Sequence, residues 1–216
     1  MLDLGAGTGR LTRELAAVAG RVVAVEIDPR LAAGLRGRWP NVDVVAGDAT
    51  AIELPREPFR VVANIPFHRT GELLRLLLDD PSASLVAADL VVEWGVAVKR
   101  SIPWPSSVSS AVWGAYYETT LARRIPRSAF APPPAVDAGV LAIRRRGRPL
   151  VPLAEAEAYR RFVVQGFRHG PRSVVPAGLL DAAAGVRAMA RDLDAAAWSS
   201  LYAKLRIVDR RRERKP

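Results

Sequence analysis

The stretch Leu4-Gly5-Ala6-Gly7-Thr8-Gly9 lies between a short apolar strand pattern, residues 1–4, and an amphipathic helix pattern, residues 8–19. Glycines let the backbone adopt conformations that are strained for other residues, and they let a ligand approach the main chain closely. The helix that follows points its unpaired N–H groups toward such a ligand. A glycine turn alone is weak support for a binding site, because many such turns serve only chain geometry. The order strand, glycine turn, helix nevertheless predicts the start of a parallel α/β sheet.

Strand and helix patterns go on alternating through the first half of the chain, which is typical of parallel strands joined by crossover helices. We predict further strands at residues 21–26, 42–46, 59–63 and 84–92, and helices at residues 29–38 and 71–78.

The second half changes character after about residue 99. We predict two more strands at residues 112–121 and 138–144, then helices at residues 154–167, 177–191 and 195–205. The predicted organisation is therefore a sheet domain, residues 1–148, followed by a small helical domain, residues 149–216, that ends in a basic tail.

Two carboxylates follow predicted strands. Glu26 ends the second strand, where an acid can accept hydrogen bonds from a ribose diol. Asp48 in Gly47-Asp48-Ala49 closes the third strand, where a carboxylate can accept a hydrogen bond from the amine of an adenine. Asp28 is better interpreted as the N-cap of the helix that starts on Pro29. Ligands of open α/β sheets lie outside the carboxyl ends of the strands. The glycine turn and the two acids together predict a nucleoside cofactor.

The tetrapeptide Asn64-Ile65-Pro66-Phe67 follows the fourth predicted strand. A proline stiffens this loop, side-chain and backbone oxygens in it can accept hydrogen bonds from an exocyclic amine, and the aromatic ring can stack on a flat base. With a methyl donor bound nearby, these are the parts needed to methylate an amine on a nucleobase.

Composition and charge limit the partners, metal sites and cellular locations that the protein can have. Lys plus Arg is 32 against 22 for Asp plus Glu, a net charge of +10 in 216 residues, carried mostly by arginines that suit a nucleic-acid partner. A GC-rich genome accounts for arginine in place of lysine but not for the excess of positive charge. The sequence has no cysteine and two histidines without metal-ligand spacing, so we expect no metal. It has no apolar run of transmembrane length and no signal-peptide pattern, so we expect a cytoplasmic protein.

With these motifs in place, the chain resembles the S-adenosylmethionine-dependent ribosomal RNA adenine-N6 methyltransferases. It looks most like the Erm type, which confers macrolide, lincosamide and streptogramin B resistance. The resemblance extends to about residue 145 and implies a Rossmann-like methyltransferase sheet with a small helical C-terminal domain. The motifs that carry it are Leu2 to Thr12, Val25 to Pro29, Gly47 to Ala49, Asn64 to Phe67 with Thr70, and the segment Phe130-Ala131-Pro132-Pro133-Pro134-Ala135-Val136-Asp137.

The resemblance also implies roles for individual residues. The target amine would be held by Asn64 and the Ile65 carbonyl, next to Pro66, while Phe67 would stack on the flipped-out base and Phe130 would cover its other face. The partner would be large-subunit ribosomal RNA before full ribosome assembly, and we expect a monomer. The S-adenosylmethionine site would comprise Leu4, Gly5, Gly7, Gly9, Glu26, Ile27, Asp48, Ala49 and Asn64.

Two departures from the family pattern qualify this expectation. The family normally carries a further N-terminal segment with a Gln-x-Phe-like motif that closes over the cofactor. Its absence leads us to expect either a fragment or an impaired enzyme. A Gln-containing stretch near the end of the fifth strand is here altered to Val91-Val92-Glu93-Trp94-Gly95-Val96-Ala97.

Three alternatives stay open. One is the related dimethyltransferase of small-subunit ribosomal RNA, which usually shows Asn-Leu-Pro-Tyr in place of Asn64-Ile65-Pro66-Phe67. A second, from another class, is an RNA-binding relative that has lost catalysis. A third, a methyltransferase of small molecules, explains the glycine turn but neither the tetrapeptide nor the basic charge.

Overall fold

The computed structural model describes residues 1–103, 106–184 and 189–213. Its strands are β1 (Leu2–Leu4), β2 (Val22–Glu26), β3 (Val42–Ala46), β4 (Phe59–Asn64), β5 (Leu85–Glu93), β6 (Tyr117–Ile125) and β7 (Ala138–Arg145). Its α-helices are α1 (Arg10–Val18), α2 (Pro29–Leu35), α3 (Thr70–Leu78), α4 (Trp94–Ser101), α5 (Val108–Trp113), α6 (Ala156–His169), α7 (Ala177–Ala184) and α8 (Ala195–Glu213).

All seven strands form one sheet in the order β3-β2-β1-β4-β5-β7-β6. Strand β1 pairs in parallel with β2 and β4, β2 pairs in parallel with β3, and β4 with β5, while β7 runs antiparallel to β5. The prediction of a Rossmann-like α/β sheet is confirmed, with β1 to β5 parallel as expected and β7 antiparallel. The carboxyl ends of β1 to β5 therefore lie along one edge, and the chain order reverses between β1 and β4, the position at which doubly wound sheets bind ligands.

Burial follows the sequence pattern of each element. All three residues of the central strand β1 are buried, whereas β4 alternates buried and more exposed positions. Helix α3 buries Leu73, Leu74, Leu77 and Leu78, which lie on one face at helical spacing. A fully buried leucine contributes about 1.5–3 kcal/mol, so this face fixes α3 and the start of the helix beside the end of β4.

The prediction of a single strand over residues 112–121 is wrong in its first half. Residues 108–113 form α5, and β6 begins only at Tyr117. Ser107 is the N-cap of α5: its hydroxyl accepts a hydrogen bond from the Ser110 N–H at 3.2 Å, and the Ser110 hydroxyl accepts one from the Ser107 N–H at 2.7 Å. This capping box outweighs the strand preference of the Val, Trp and Tyr residues that follow. Helix α4, directly after β5, was not predicted either.

The chain separates into two compact units, of which the first comprises Met1–Ser101 and Thr119–Arg145 and holds most of the sheet. The second comprises Ile102–Glu118 and Arg146–Pro216, so it includes a segment that precedes β6, whereas the predicted division cuts the chain once after residue 148. The core of the second unit is aromatic. Trp198 is fully buried, and its ring lies edge-on to Phe162 at 5.6 Å between centroids.

Two further predictions concern the C-terminal part. Residues 185–188, within the predicted helix 177–191, and residues 214–216, at the end of the predicted basic tail, lie outside the described residues. Among the described helices, none combines the length and apolar character needed to span a membrane.

Candidate active site

The glycine turn after β1 has a left-handed backbone at Gly5, Gly7 and Gly9, with φ of 80°, 57° and 82°. A Cβ built at Gly7 would meet no atom within 4 Å, whereas one at Gly9 would lie 2.4 Å from Leu35 Cδ2 in α2. Gly9 is therefore required by the packing of α1 against α2. Gly7 leaves open space beside the main chain, as a ligand cradle needs.

Leu4 and Asp3 precede the turn in the buried strand β1. Leu4 is fully buried, so only its backbone can face a ligand. Asp3 is 1% exposed and accepts a hydrogen bond from the Thr12 hydroxyl at 2.7 Å through Oδ2. Its Oδ1 atom is buried without a hydrogen-bond partner among the described residues. Burial raises the pKa of Asp3 to about 6; Glu26 acts in the same direction, and the Thr12 hydrogen bond opposes it.

The Glu26 carboxylate at the end of β2 is directed into the glycine turn. Its Oε2 accepts a hydrogen bond from the Gly7 N–H at 2.7 Å, and its Oε1 accepts one from the Asp28 N–H at 2.8 Å. The residue is 6% exposed, while its neighbour Ile27 is 64% exposed and presents an apolar side chain at the sheet edge. Asp28 caps α2 by accepting a hydrogen bond from the Arg30 N–H at 2.7 Å, which confirms the predicted N-cap.

The Asp48 carboxylate, two residues after β3 and next to the partly buried Ala49, is held from two sides. Its Oδ1 accepts hydrogen bonds from the Thr50 N–H and hydroxyl, both at 2.8 Å, and its Oδ2 accepts one from Arg69 Nη2 at 2.9 Å. These hydrogen bonds, those from Thr50 first, lower the pKa of Asp48 to about 2. The carboxylate is thus ionised and oriented at neutral pH.

The tetrapeptide Asn64-Ile65-Pro66-Phe67 leaves β4 at the same sheet edge. Ile65 is 1% exposed, and its N–H donates to the Val91 carbonyl at 3.1 Å, so the loop is anchored to β5. The Thr70 hydroxyl donates to the Phe67 carbonyl at 3.0 Å. Within the described part of the chain no hydrogen bond occupies the exposed Asn64 side chain, and the Phe67 ring is half-buried. These hydrogen bonds hold the loop in place, and the Asn64 side-chain amide is available to bind a ligand.

Gly5 and Pro66 bring the turn and the tetrapeptide together: a Cβ built at Gly5 would lie 3.7 Å from Pro66 Cδ. Strands β1 and β4, which carry these two residues at their ends, are hydrogen-bonded neighbours. The structure therefore places the predicted cofactor turn directly against the predicted amine-binding loop.

Phe130 lies elsewhere along the chain, in the extended segment between β6 and β7, and its ring is half-buried. Asp137 ends that segment. Its carboxylate accepts hydrogen bonds from the Arg127 N–H and Arg124 Nε, both at 2.9 Å, and its carbonyl accepts one from the Trp94 N–H at 2.9 Å. The segment is thus tied to the end of β5, one strand away from the tetrapeptide.

Three contributors to this edge were not predicted from the sequence: Asp3, Thr50 and Arg69. Thr50 could have been predicted, because an Asp with a Thr two residues later often forms a local hydrogen-bonded turn. No sequence pattern pointed to Arg69, since its partner Asp48 is 21 residues away and follows β3, which is separated from β4 by two other strands of the sheet.

The chain is similar to several known proteins. The profile of the family described as ribosomal RNA adenine dimethylase matches residues 1–177. An rRNA adenine N-6-methyltransferase of Corynebacterium diphtheriae is 38% identical over 165 residues, covering 76% of this chain and 64% of the relative. The mycinamicin-resistance protein MyrB of Micromonospora griseorubida is 35% identical over 225 residues, covering 98% of this chain and 71% of the relative.

Among solved structures, that of the 23S rRNA methyltransferase ErmE superimposes with a TM-score of 0.82 at 30% sequence identity, covering 95% of this chain and 90% of that one. A dimethyladenosine transferase from Plasmodium falciparum gives a TM-score of 0.72 at 19% identity, a likeness of fold. The chain spans less than two thirds of the length of the Corynebacterium diphtheriae relative.

Proposed function

The chain belongs to the ribosomal RNA adenine dimethylase family, and on that premise we propose that it transfers a methyl group from S-adenosylmethionine to the N6 amine of an adenine in 23S ribosomal RNA. In a cell this modification would give resistance to macrolide, lincosamide and streptogramin B antibiotics. Similarity to a 23S rRNA methyltransferase supports 23S ribosomal RNA as the substrate, and similarity to a mycinamicin-resistance protein supports antibiotic resistance as the result.

The observation that carries the proposal is the contact between the glycine turn and the tetrapeptide, represented by the 3.7 Å between the Cβ position of Gly5 and Pro66 Cδ. Methyl transfer needs the donor and the amine in one site, and fixing two reactants in a productive orientation removes a large entropic part of the barrier. A nucleoside-binding turn far from the amine-binding loop would not support this chemistry.

The residues present fit S-adenosylmethionine. The empty space over Gly7, the Asp3 Oδ1 that has no hydrogen-bond partner among the described residues, and the two carboxylates of Glu26 and Asp48 suit a ligand with cationic groups, a ribose diol and an amine. We assign the ribose to Glu26 and the adenine to Asp48, with Ile27 and Ala49 beside them. When bound, the cofactor supplies an electrophilic methyl group on a positively charged sulfur.

The chain's own residues would prepare the adenine amine. The Asn64 amide oxygen and the Ile65 carbonyl would accept hydrogen bonds from the amine and orient it, because its lone pair is delocalised into the ring. Phe67 would stack on the extruded base, with Phe130 on its other face. Stacking on an aromatic ring contributes about 1–3 kcal/mol per base, which offsets part of the cost of extruding it.

Charge supports an RNA partner. The net charge is +10. In the second unit a cavity of about 160 Å³ on α6 is lined by three arginines and one acid, which pairs with Arg161 at 3.2 Å: Glu157, Arg160, Arg161 and Arg168, with Val164 and Gln165. Arginine grips phosphate bidentately, so this helix face suits an RNA backbone. We place the protein in the cytoplasm as a monomer that acts on RNA before full ribosome assembly.

Transfer of labelled methyl groups to protein-free RNA tests the proposal. We expect label in large-subunit RNA, recovered as N6-methylated adenosine, and little in small-subunit RNA. Label mainly in small-subunit RNA would favour the related dimethyltransferase activity, and RNA binding without label would favour a non-catalytic relative. Expression in a susceptible host should raise the macrolide concentration needed to inhibit growth, while Asn64→Ala should not.

A further inference from the structure

The Arg69 side chain joins two loops of the candidate site. Its Nη2 donates hydrogen bonds to Asp48 Oδ2 at 2.9 Å and to the Thr50 hydroxyl at 2.6 Å, while its Nε lies 2.8 Å from Glu72 Oε2 in α3. Asp48 follows β3 and Arg69 follows β4, and in the sheet these strands are separated by β2 and β1. One side chain therefore links the turn that we assign to the adenine with the loop that we assign to the target amine.

Arg69 and Thr50 divide the hydrogen-bonding capacity of the Asp48 carboxylate unequally. Oδ1 accepts from the Thr50 N–H, the Thr50 hydroxyl and, at 3.2 Å, Arg69, whereas among the described residues Oδ2 accepts only from Arg69. A carboxylate oxygen has about two lone-pair sites, so Oδ1 is saturated and Oδ2 keeps capacity for one more donor. The contacts fix both the rotation of the carboxylate and the oxygen that can receive a ligand amine.

Stability alone is a weak explanation for this arrangement. The side chains of Arg69 and Asp48 are 29% and 37% exposed, and partly exposed ion pairs contribute little because water and salt screen them. Arg69 also engages two acidic side chains and a hydroxyl at once, which is more than a single surface ion pair requires. The geometry is better suited to orienting a group than to stabilising the fold.

We propose that Arg69 is a positioning residue that orients Asp48 toward the exocyclic amine of the cofactor's adenine, and so sets selectivity for a purine with an amine over one without it. This inference rests on the proposed function, because it takes the adenine to lie beside Asp48. In this proposal Arg69 acts through Asp48 and contacts neither the substrate nor the methyl group.

The test compares the dissociation constants of S-adenosylhomocysteine and S-inosylhomocysteine, in which a carbonyl replaces the adenine amine, by titration calorimetry. The unaltered protein should prefer the amine-bearing ligand. Arg69→Met should reduce that preference about tenfold, within the range of couplings between contacting residues. Arg69→Lys should restore part of it, and adding Arg69→Met to Asp48→Asn should change it no further.

Arg21→Met is the matched control, since it breaks another Arg–Asp contact, Arg21 Nε to Asp43 Oδ2 at 2.7 Å, that lies at the opposite end of β2. It should leave the preference unchanged. Thr50→Val, which removes a second donor to Asp48 Oδ1, should reduce the preference in the same direction and provides the test if Arg69→Met does not fold.

The outcomes separate the two claims. Failure of the unaltered protein to bind S-adenosylhomocysteine would contradict the proposed function itself. Normal binding, with a preference that a folded Arg69→Met protein leaves unchanged, would overturn the role of Arg69 alone. If Arg69→Met does not fold, an unchanged preference in Thr50→Val would overturn it. Tighter binding of S-adenosylhomocysteine by Arg69→Met would also overturn it, because Arg69 would then compete with the adenine for Asp48.

Discussion

Glu26 accepts a hydrogen bond from the Gly7 N–H at 2.7 Å, which ties the end of β2 to the glycine turn that follows β1. The same carboxylate accepts a second backbone hydrogen bond, from Asp28 at 2.8 Å. Glu26 thus shapes the turn as well as offering oxygens to a ribose. A buried carboxylate with two backbone donors is costly to replace, because hydrogen bonds to charged groups contribute about 1.5–3 kcal/mol each.

Glu26→Gln should therefore weaken S-adenosylhomocysteine binding about tenfold or more, since an amide places an N–H₂ group where one of these acceptors was. Titration calorimetry measures the effect, and Glu14→Gln, at an exposed acid on α1, is the control. Unchanged affinity in Glu26→Gln would exclude Glu26 from the cofactor site.

Gly7→Ala and Gly9→Ala should differ in their effects, although both glycines have a left-handed backbone. Gly9→Ala places a Cβ 2.4 Å from Leu35 and should lower the free energy of unfolding by about 2–4 kcal/mol, through backbone strain and overpacking. Gly7→Ala meets no protein atom within 4 Å, so it should cost only the strain, about 1–2 kcal/mol, yet block ligand approach. Denaturant unfolding measures the stability of both variants, and titration with S-adenosylhomocysteine measures their affinity under conditions in which both are folded. An equal loss of affinity in the two folded variants would contradict the assignment of Gly7 to the ligand site.

The buried Asp3 should make stability depend on pH. Its pKa is raised from the ordinary 3.8 to about 6, which corresponds to about 3 kcal/mol at 1.36 kcal/mol per pKa unit. Because the folded state holds the proton more tightly than the unfolded state, this contribution favours folding at low pH and is lost as the pH rises from about 4 to 6.

Asp3→Asn removes that titration and keeps an acceptor for the Thr12 hydroxyl. The difference in unfolding free energy between Asp3→Asn and the unaltered protein should therefore grow by up to about 3 kcal/mol between pH 4 and pH 7. Asp43→Asn, at an exposed acid in β3, should show no such growth. A pH-independent difference for Asp3→Asn would contradict the assignment.

Phe67→Ala should lower kcat/KM for RNA by about 5- to 150-fold, the equivalent of 1–3 kcal/mol of lost base stacking, while S-adenosylhomocysteine affinity stays unchanged. Phe67→Tyr keeps the ring and should retain activity. Steady-state methyl transfer with varied RNA concentration measures both variants. Equal activity of Phe67→Ala and the unaltered protein would show that the ring does not carry the base.

The positions of Glu26, Asp48 and Asn64 could be predicted because each follows a run of β-branched or apolar residues, and parallel strands bring such ends to one edge. Strand β3 was predicted with the observed bounds, Val42–Ala46. The roles assigned to these residues stay predictions.

Other features could not be predicted, because they depend on competition between helix and strand preferences or on tertiary contacts that sequence patterns do not show. Residues 112–116 favour a strand by composition, but the capping box of Ser107 and Ser110 starts helix α5, which continues to Trp113. The Arg69–Asp48 pair depends on the order of the strands in the sheet. The lack of a hydrogen-bond partner for Asp3 Oδ1 among the described residues depends on the complete burial of β1.

The most direct test of methyl transfer at Asn64 is the single-turnover rate of methylation of 23S ribosomal RNA by Asn64→Ala and by the unaltered protein, at saturating RNA and S-adenosylmethionine. His68→Ala, one residue beyond the tetrapeptide and exposed, is the control. We predict that Asn64→Ala lowers the rate at least a hundredfold, about 2.7 kcal/mol in the barrier, while RNA binding is retained and His68→Ala remains active. An Asn64→Ala protein that methylates 23S ribosomal RNA at the unaltered rate would contradict the account.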